Sequence, residues 1–267
     1  MGDSSTGADS ADAARVTNAR GASPYVIVCD HASNFIPESF GALGLPQADL
    51  TRHIAWDPGA LPAARELARL LDAPLVESCR SRLLIDCNRP SDAPDLIPAI
   101  SETTEIPGNR GLSDAAIAER IALAYVPFHA ALAGLVAERG GNGGEVRLVS
   151  VHSFTPVYKG NARPWHVGVI HDEDERLSAP LLASLRREPG LVVGDNEPYS
   201  PADRVYHTLE KHGRAAGHAC AMIEIRNDEI GSQQGQMAWA RRLAELLGSI
   251  AIEEREAPRL RAATGRS

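Results

Sequence analysis

The sequence predicts an α/β fold, a single domain with a central mixed and mostly parallel sheet flanked by helices. Short apolar segments of strand length alternate along the chain with longer segments of helical period. The 267 residues suit one large domain of this kind, and no internal repeat divides them.

Residues 1–20 are rich in Ser, Ala, Asp and Gly without periodicity, so a disordered arm is expected there. The folded domain is expected over 21–252, with a tail over 253–267. "PYVIVC" reads as the first strand, and "GALPAARELARLLDA" sets Leu61, Ala64, Leu67, Ala68 and Leu71 on one helical stripe. "PLVES" and "RLLIDC" read as strands, and the Pro-rich passage from Pro90 to Pro107 as a loop longer than the ~12–15 residues usual without a functional reason.

"LSDAAIAERIALAYVPFHAALAGLVAER" is the longest helical pattern, with Ser113 or Asp114 as its N-cap and "GGNGG" as its stop. That glycine run lacks the Lys-Ser/Thr of a phosphate loop and reads as a turn. "EVRLVSVH", "PWHVGVIH", "GLVVGD" and "ACAMIEIRND" are strands. "ERLSAPLLASLRRE", "ADRVYHTLEKHGRAAG" and "QQGQMAWARRLAELLGSIAIEE" are helices.

A formal net charge of -8 argues against a general affinity for nucleic acid or anionic membranes, which leaves a small molecule as the expected partner; the oligomeric state is open. Cys29, Cys79, Cys87 and Cys220 form no CxxC pair, and the first residues lack the pattern of a secretory signal. Reduced thiols and a cytoplasmic location are expected. No apolar run approaches the ~20 residues that cross a bilayer.

Several strands end on polar residues: Asp30-His31, Asp86 to Arg89, His152-Ser153, His171-Asp172, and Glu224 with Arg226 to Asp228. Ligands of open α/β sheets bind beyond the carboxyl ends of the strands, which nominates one sheet edge as the site. Imidazole and carboxylate from different strand ends suit a catalytic zinc, with His31 and His152 as the leading ligands; loop-bound histidines are the structural alternative.

Alternation puts Glu224 and Arg226 on the same face as Cys220 and Met222. Glu224 is then either a general base or half of an internal ion pair with Arg226 or Arg82. Arg82, Asp86, Asn88 and Arg89 crowd one segment, as a site for a free carboxylate needs, or as a structural network in which Asp86 neutralises an arginine.

Taken in order, "CDHASNFIPE", "SRLLIDCNRP", "HSFTPVYKGNARPWHVGVIHD", "GDNEPYS" and "IEIRND" resemble the N-formylglutamate amidohydrolase family, over about Tyr25 to Leu247. The resemblance implies a zinc-exopeptidase-like fold related to the carboxypeptidase and aspartoacylase group. It implies zinc, or another divalent metal, in the hydrolysis of an N-acyl amino acid amide such as that of N-formylglutamate. By the resemblance His31 and His152 are metal ligands, Glu224 the base, Arg82 the group that polarises the scissile carbonyl, and Asn88 and Arg89 the holders of the substrate carboxylate.

Arg226 and Tyr199 join the expected substrate-binding set. The wider group carries HxxE, but the third residue after His31 is Asn34, a poor zinc ligand. Asp57 in "HIAWDPGA" is the preferred replacement, with a helix N-cap as its alternative role, and Glu38 is second choice. Rival functions are a deacylase or carboxypeptidase of other specificity and a non-catalytic binding homologue. A serine hydrolase is disfavoured because no GxSxG elbow is present.

Overall fold

A computed structural model describes residues 12–141 and 144–264. Residues 1–11 and 265–267, parts of the expected arm and tail, and Asn142 and Gly143 of the glycine run, lie outside the described residues. In chain order the strands are β1 (Ala14–Thr17), β2 (Tyr25–Cys29), β3 (Leu75–Ser78), β4 (Ile100–Ser101), β5 (Thr104–Glu105) and β6 (Arg147–Phe154). They continue with β7 (Val157–Tyr158), β8 (Asn161–Ala162), β9 (Val167–Ile170), β10 (Val193–Asp195) and β11 (Ala219–Arg226). The helices are α1 (Gln47–Leu50), α2 (Ala60–Leu71), α3 (Asp114–Arg120), α4 (Val126–Gly141), α5 (Ser178–Leu185), α6 (His207–His212) and α7 (Gln233–Thr264).

A seven-stranded sheet runs in the order β1-β3-β2-β6-β11-β9-β10. Its central strands β3, β2, β6 and β11 are parallel, while β1 runs against β3 and β9 against β11. Strands β2 and β6 are buried along their whole length, as interior parallel strands covered on both faces must be. Ile27, Val149 and Ile223 meet α2, α5 and α7 on one face. Val26, Val28, Leu148 and Met222 meet α4 and α6 on the other.

Three local expectations are corrected. The arm is ordered over Ala14–Thr17, whose backbone pairs with Leu75–Ser78 at the sheet edge, a long-range partner that local composition does not reveal. The tail continues α7 through Thr264. "RLLIDC" is a chain of buried turns rather than a strand: Leu84 and Ile85 both donate back to the Ser81 carbonyl, and Asp86 donates to Leu96.

The long helical pattern is interrupted at Ile121–Tyr125 by a turn of π-helix, just before Pro127. Proline brings no backbone N–H, and a π turn relieves the helix of the donor it would have supplied. Ser113 caps the start, its hydroxyl accepting from the Ala116 amide. By length and composition the stretch Asp114–Gly141 could cross a bilayer, contrary to the expectation from sequence. Here Phe128, Leu132, Leu135 and Val136 of that stretch are buried against the sheet.

Candidate active site

The carboxyl ends of β2 and β6 deliver Asp30, His31 and His152 to one edge of the sheet, and Glu224 near the end of β11 joins them. Alternation sorts them further. Asp30, His152 and Glu224 extend the face that carries Val28, Ser150 and Met222. In the parallel pairing of β11 with β6, Glu224 stands directly opposite His152. On its other side Glu224 faces Gly168 of β9, where a Cβ would come within 1.9 Å of the Glu197 carbonyl oxygen. Glycine there lets the loop carrying Tyr199 pass close over the strand.

Asp57 arrives from the loop before α2, its amide donating to the His31 carbonyl at 3.0 Å. Gly59, with φ +82°, occupies the N-cap position of α2 and no side chain caps that helix. The Asp57 carboxylate is therefore free to face the histidines. Oδ2 lies 2.8 Å from His152 Nδ1 and 3.4 Å from His31 Nδ1. Ligand-competent atoms of His31, Asp57 and His152 all lie within 4.8 Å of one another, and all three residues are buried.

Each imidazole is held by its other nitrogen. His31 Nε2 is 2.7 Å from Asp86 Oδ1, and His152 Nε2 is 3.1 Å from Asp30 Oδ2. The support runs crosswise, since Asp30 holds the distant His152 and not its chain neighbour. Asp30 is itself saturated: the Ser150 hydroxyl donates to Oδ2 at 2.8 Å and the Thr208 hydroxyl, from α6, donates to Oδ1. Asp86 likewise accepts from the Asn88 amide and from Arg82. A carboxylate on Nε2 of each ring leaves Nδ1 turned toward the shared point, the arrangement that orients metal-binding histidines.

A divalent cation fits this donor set. His31 Nδ1 is a buried polar atom with no hydrogen-bond partner, and two Nδ1 atoms with one carboxylate are the three protein ligands a catalytic zinc takes. Electrostatics agree. Burial pulls the His152 pKa down, but hydrogen bonds to Asp30 and Asp57 overcome it and hold the ring well above its ordinary value. Burial pushes the Asp57 carboxyl up, and His31 and His152 more than reverse that, leaving it well below the usual range. So many carboxylates in one buried cluster favour positive charge among them.

Arg82 supplies part of that charge, 3.4 Å from Asp57 Oδ1 and 3.1 Å from Asp86 Oδ2. Glu224 differs from the other acids. Burial, with Asp57 adding to it, raises its pKa to about 7 against the opposing pull of His152, and its Oε2 has no hydrogen-bond partner. A carboxyl group near neutrality, unpaired and at a cavity wall can exchange a proton. Among the described residues, Arg82 and Arg226 make their ion pairs with other carboxylates and not with Glu224.

These groups open into a cavity of about 260 Å³ lined by His31, Asp57, His152, Arg82, Arg89 and Glu224 among others. Of the residues expected to bind substrate, Asn88, Arg89 and Tyr199 line it. Asn88, however, spends its amide on the 205–208 segment, donating to the Val205 carbonyl and accepting from the Thr208 amide.

Other expected residues lie elsewhere. Arg226 is outside the lining, its guanidinium tied to Asp228, Glu229 and the carbonyls of 163–165, because it is the last residue of β11 and meets the loop entering β9. His171 falls at the opposite sheet edge, bound to Asp195, because β9 runs antiparallel to β11. Asn34 donates to the Leu50 carbonyl. Glu38 begins a 3-10 turn and is not in the ligand cluster. Ser153 donates its hydroxyl to Pro58.

Sequence reasoning missed the cross-support by Asp86 of His31, the roles of Ser150 and Thr208, and His53 and Tyr158 in the cavity wall. Ser150 alone had a local signal, standing two residues before His152 on the same strand face.

The family model described as N-formylglutamate amidohydrolase matches residues 23–231. The crystal structure of gene product Atu2144 from Agrobacterium tumefaciens is similar at a TM-score of 0.89 and 43% identity, covering 92% of this chain and 97% of that one. The structure of N-formylglutamate amidohydrolase from Ralstonia eutropha JMP134 is similar at a TM-score of 0.66 and 21% identity, covering 91% and 99%, and shares the fold. No curated protein sequence matches the chain.

Proposed function

The chain belongs to the N-formylglutamate amidohydrolase family, and from that premise we propose that it is a cytoplasmic, zinc-dependent amidohydrolase that removes the acyl group, formyl foremost, from an N-acyl amino acid. One observation carries the reading: His31, Asp57 and His152 converge on a point in the same cavity wall as Glu224, whose carboxyl group is held near neutrality. Reduced cysteines accord with the location, since all four are buried and in no disulfide.

His31 and His152 would hold the ion through Nδ1 and Asp57 through its carboxylate. Zinc in that position supplies Lewis acidity toward the acyl oxygen and lowers the pKa of water toward ~7. The remaining work falls to the protein. Glu224 takes a proton from the attacking water as its oxygen bonds to the acyl carbon, then gives that proton to the nitrogen as the carbon–nitrogen bond breaks. Arg82, pinned by Asp57 and Asp86, keeps fixed positive charge beside the acyl oxygen as negative charge develops there.

Arg89 binds the substrate carboxylate. Asn88 supports that binding from behind by fixing the 205–208 wall. The test is hydrolysis of N-formyl and N-acetyl amino acids by protein as purified, after chelation, and after zinc is restored. Activity that vanishes and returns supports the proposal, whereas full turnover by metal-free protein would end it.

A further inference from the structure

We infer that Tyr199 donates a hydrogen bond to the substrate's acyl oxygen, one that strengthens as negative charge gathers there, and that Arg163 is the positioning residue that turns the Tyr199 hydroxyl toward it. This rests on the reading that the cavity hydrolyses N-acyl amino acids, and it gives Arg82 a neutral partner on the same oxygen.

Two neighbours of Glu224 place the pair. Gly168, opposite Glu224 in the pairing of β9 with β11, lets the Glu197 carbonyl and the loop bearing Tyr199 pass close over the sheet. Arg226, two residues beyond Glu224 on β11, donates to the carbonyls of Pro164 and Trp165 at 3.3 Å and so fixes the segment that carries Arg163. The Arg163 amide, just after β8, donates to the Pro156 carbonyl at 2.8 Å.

Tyr158 and Tyr199 line the cavity, and the Arg163 guanidinium carbon stands behind them, 4.6 Å from the Tyr158 ring centre and 4.7 Å from that of Tyr199. From there Nη1 donates to the Tyr199 hydroxyl at 2.9 Å.

That bond decides where the hydroxyl proton goes. Arginine has only donors, so the Tyr199 oxygen accepts and its own proton turns elsewhere. Among the described residues no protein group accepts it, and the side chain borders the cavity. The proton is retained at neutral pH: burial, with Glu224 adding to it, raises the Tyr199 pKa against the pull of Arg163 and Arg82.

Among the described residues no carboxylate pairs with Arg163, whereas Arg82 and Arg89 are each matched by aspartates. Its full charge therefore polarises the hydroxyl and makes it a stronger donor. Glu224 and Arg82, the cavity groups whose charges act on Tyr199, are the two that the proposed reaction sets around the acyl carbon, one at the attacking water and one at the oxygen. A bond to a developing oxyanion is stronger than one to a neutral carbonyl, so this donor favours the transition state over the bound substrate.

The test uses Glu224→Gln protein with zinc supplied, titrated calorimetrically with N-formylglutamate and with an analogue in which a tetrahedral phosphinate replaces the planar formyl group. Adding Tyr199→Phe, which removes one oxygen and keeps the ring beside Arg163, should weaken the phosphinate roughly tenfold or more and the planar compound less than about threefold. Arg163→Met should reproduce that selective loss, and Arg163→Lys, which keeps a cationic donor, should recover part of it. Combined with Tyr199→Phe, Arg163→Met should cost little more than Tyr199→Phe alone, since the two act through one hydroxyl. Equal weakening of both compounds, unchanged phosphinate binding, fully additive losses, or no binding of either compound overturns the assignment. If wild-type protein leaves N-formylglutamate intact while the selective loss persists, the hydrolytic reading fails and this one stands.

Discussion

Glu224 faces His152 across the parallel pairing of β11 with β6, so the proposed proton acceptor and a histidine of the candidate metal site are fixed by one backbone register. If either strand slipped by one residue, its own side chain would turn away from the cavity. The relative position of the two groups therefore does not depend on any loop.

Replacing the acceptor should separate chemistry from metal binding. Glu224→Gln should lower kcat by roughly 10²- to 10⁴-fold, the usual contribution of general acid–base catalysis. Bound zinc, measured by elemental analysis, should stay stoichiometric. In the wild type, kcat/KM should rise with pH as Glu224 loses its proton, with a midpoint at or below about 7 since a bound cation can only draw the value down. That acid limb should be missing from the residual activity of the variant.

Asp57 and Glu38 make opposite predictions. Asp57 Oδ2 lies 2.8 Å from His152 Nδ1, so Asp57→Asn should lose stoichiometric zinc and the melting-temperature increase that added zinc gives the wild type. Glu38 is not in the ligand cluster, and Glu38→Gln should retain both. Loss of zinc from the Glu38 variant alone would reverse this assignment.

Asp30 does not line the cavity, yet it fixes the ring of His152 while accepting from Ser150 and Thr208. Asp30→Asn should weaken zinc binding by about 10- to 100-fold, as loss of such supporting carboxylates does. Competition with a chelator of known affinity measures this. Thr208→Val should shift affinity in the same direction by less, because Asp30 keeps its other donors.

A pair of histidines outside the ligand cluster makes a stability prediction. His129 Nδ1 and His212 Nε2 lie 2.8 Å apart. Burial, with Lys211 adding to it, lowers their pKa values to about 3 and about 4. In the unfolded chain each returns to ~6.5. Between these values the unfolded state binds more protons, so stability must fall as pH drops from about 6.5 toward 4, by up to ~1.4 kcal/mol per pH unit for His129 and less for the more exposed His212. Denaturant titrations at pH 7.5, 6.5 and 5.5 should show that slope, and it should flatten in the double variant His129→Gln/His212→Gln.

Much of this protein was legible locally. The apolar strands YVIVC and RLVSVHSF, the amphipathic α2 and the Ser113 cap follow from period, composition and short-range hydrogen bonding, which the chain carries wherever it lies. His31, His152 and Glu224 stood out because several apolar strands end alike on imidazole or carboxylate, a shared placement that no single structural role explains. Asp57 could be nominated from sequence, but its choice over a capping role depended on Gly59 taking the N-cap position.

The tertiary structure decided the rest, through direction and distance. Whether β9 runs with or against β11 sets which sheet edge His171 reaches, and no residue of either strand encodes that sense alone. Which carboxylate supports which imidazole is likewise a matter of packing: Asp30 lies next to His31 in the chain but holds a histidine 122 residues away, while Asp86 crosses 55 residues to hold His31. Sequence determined that strand ends here would bear imidazole and carboxylate. Only the folded chain, by bringing separate strand ends and a helix to one buried point, decided how those groups are shared and where positive charge is stabilised among them.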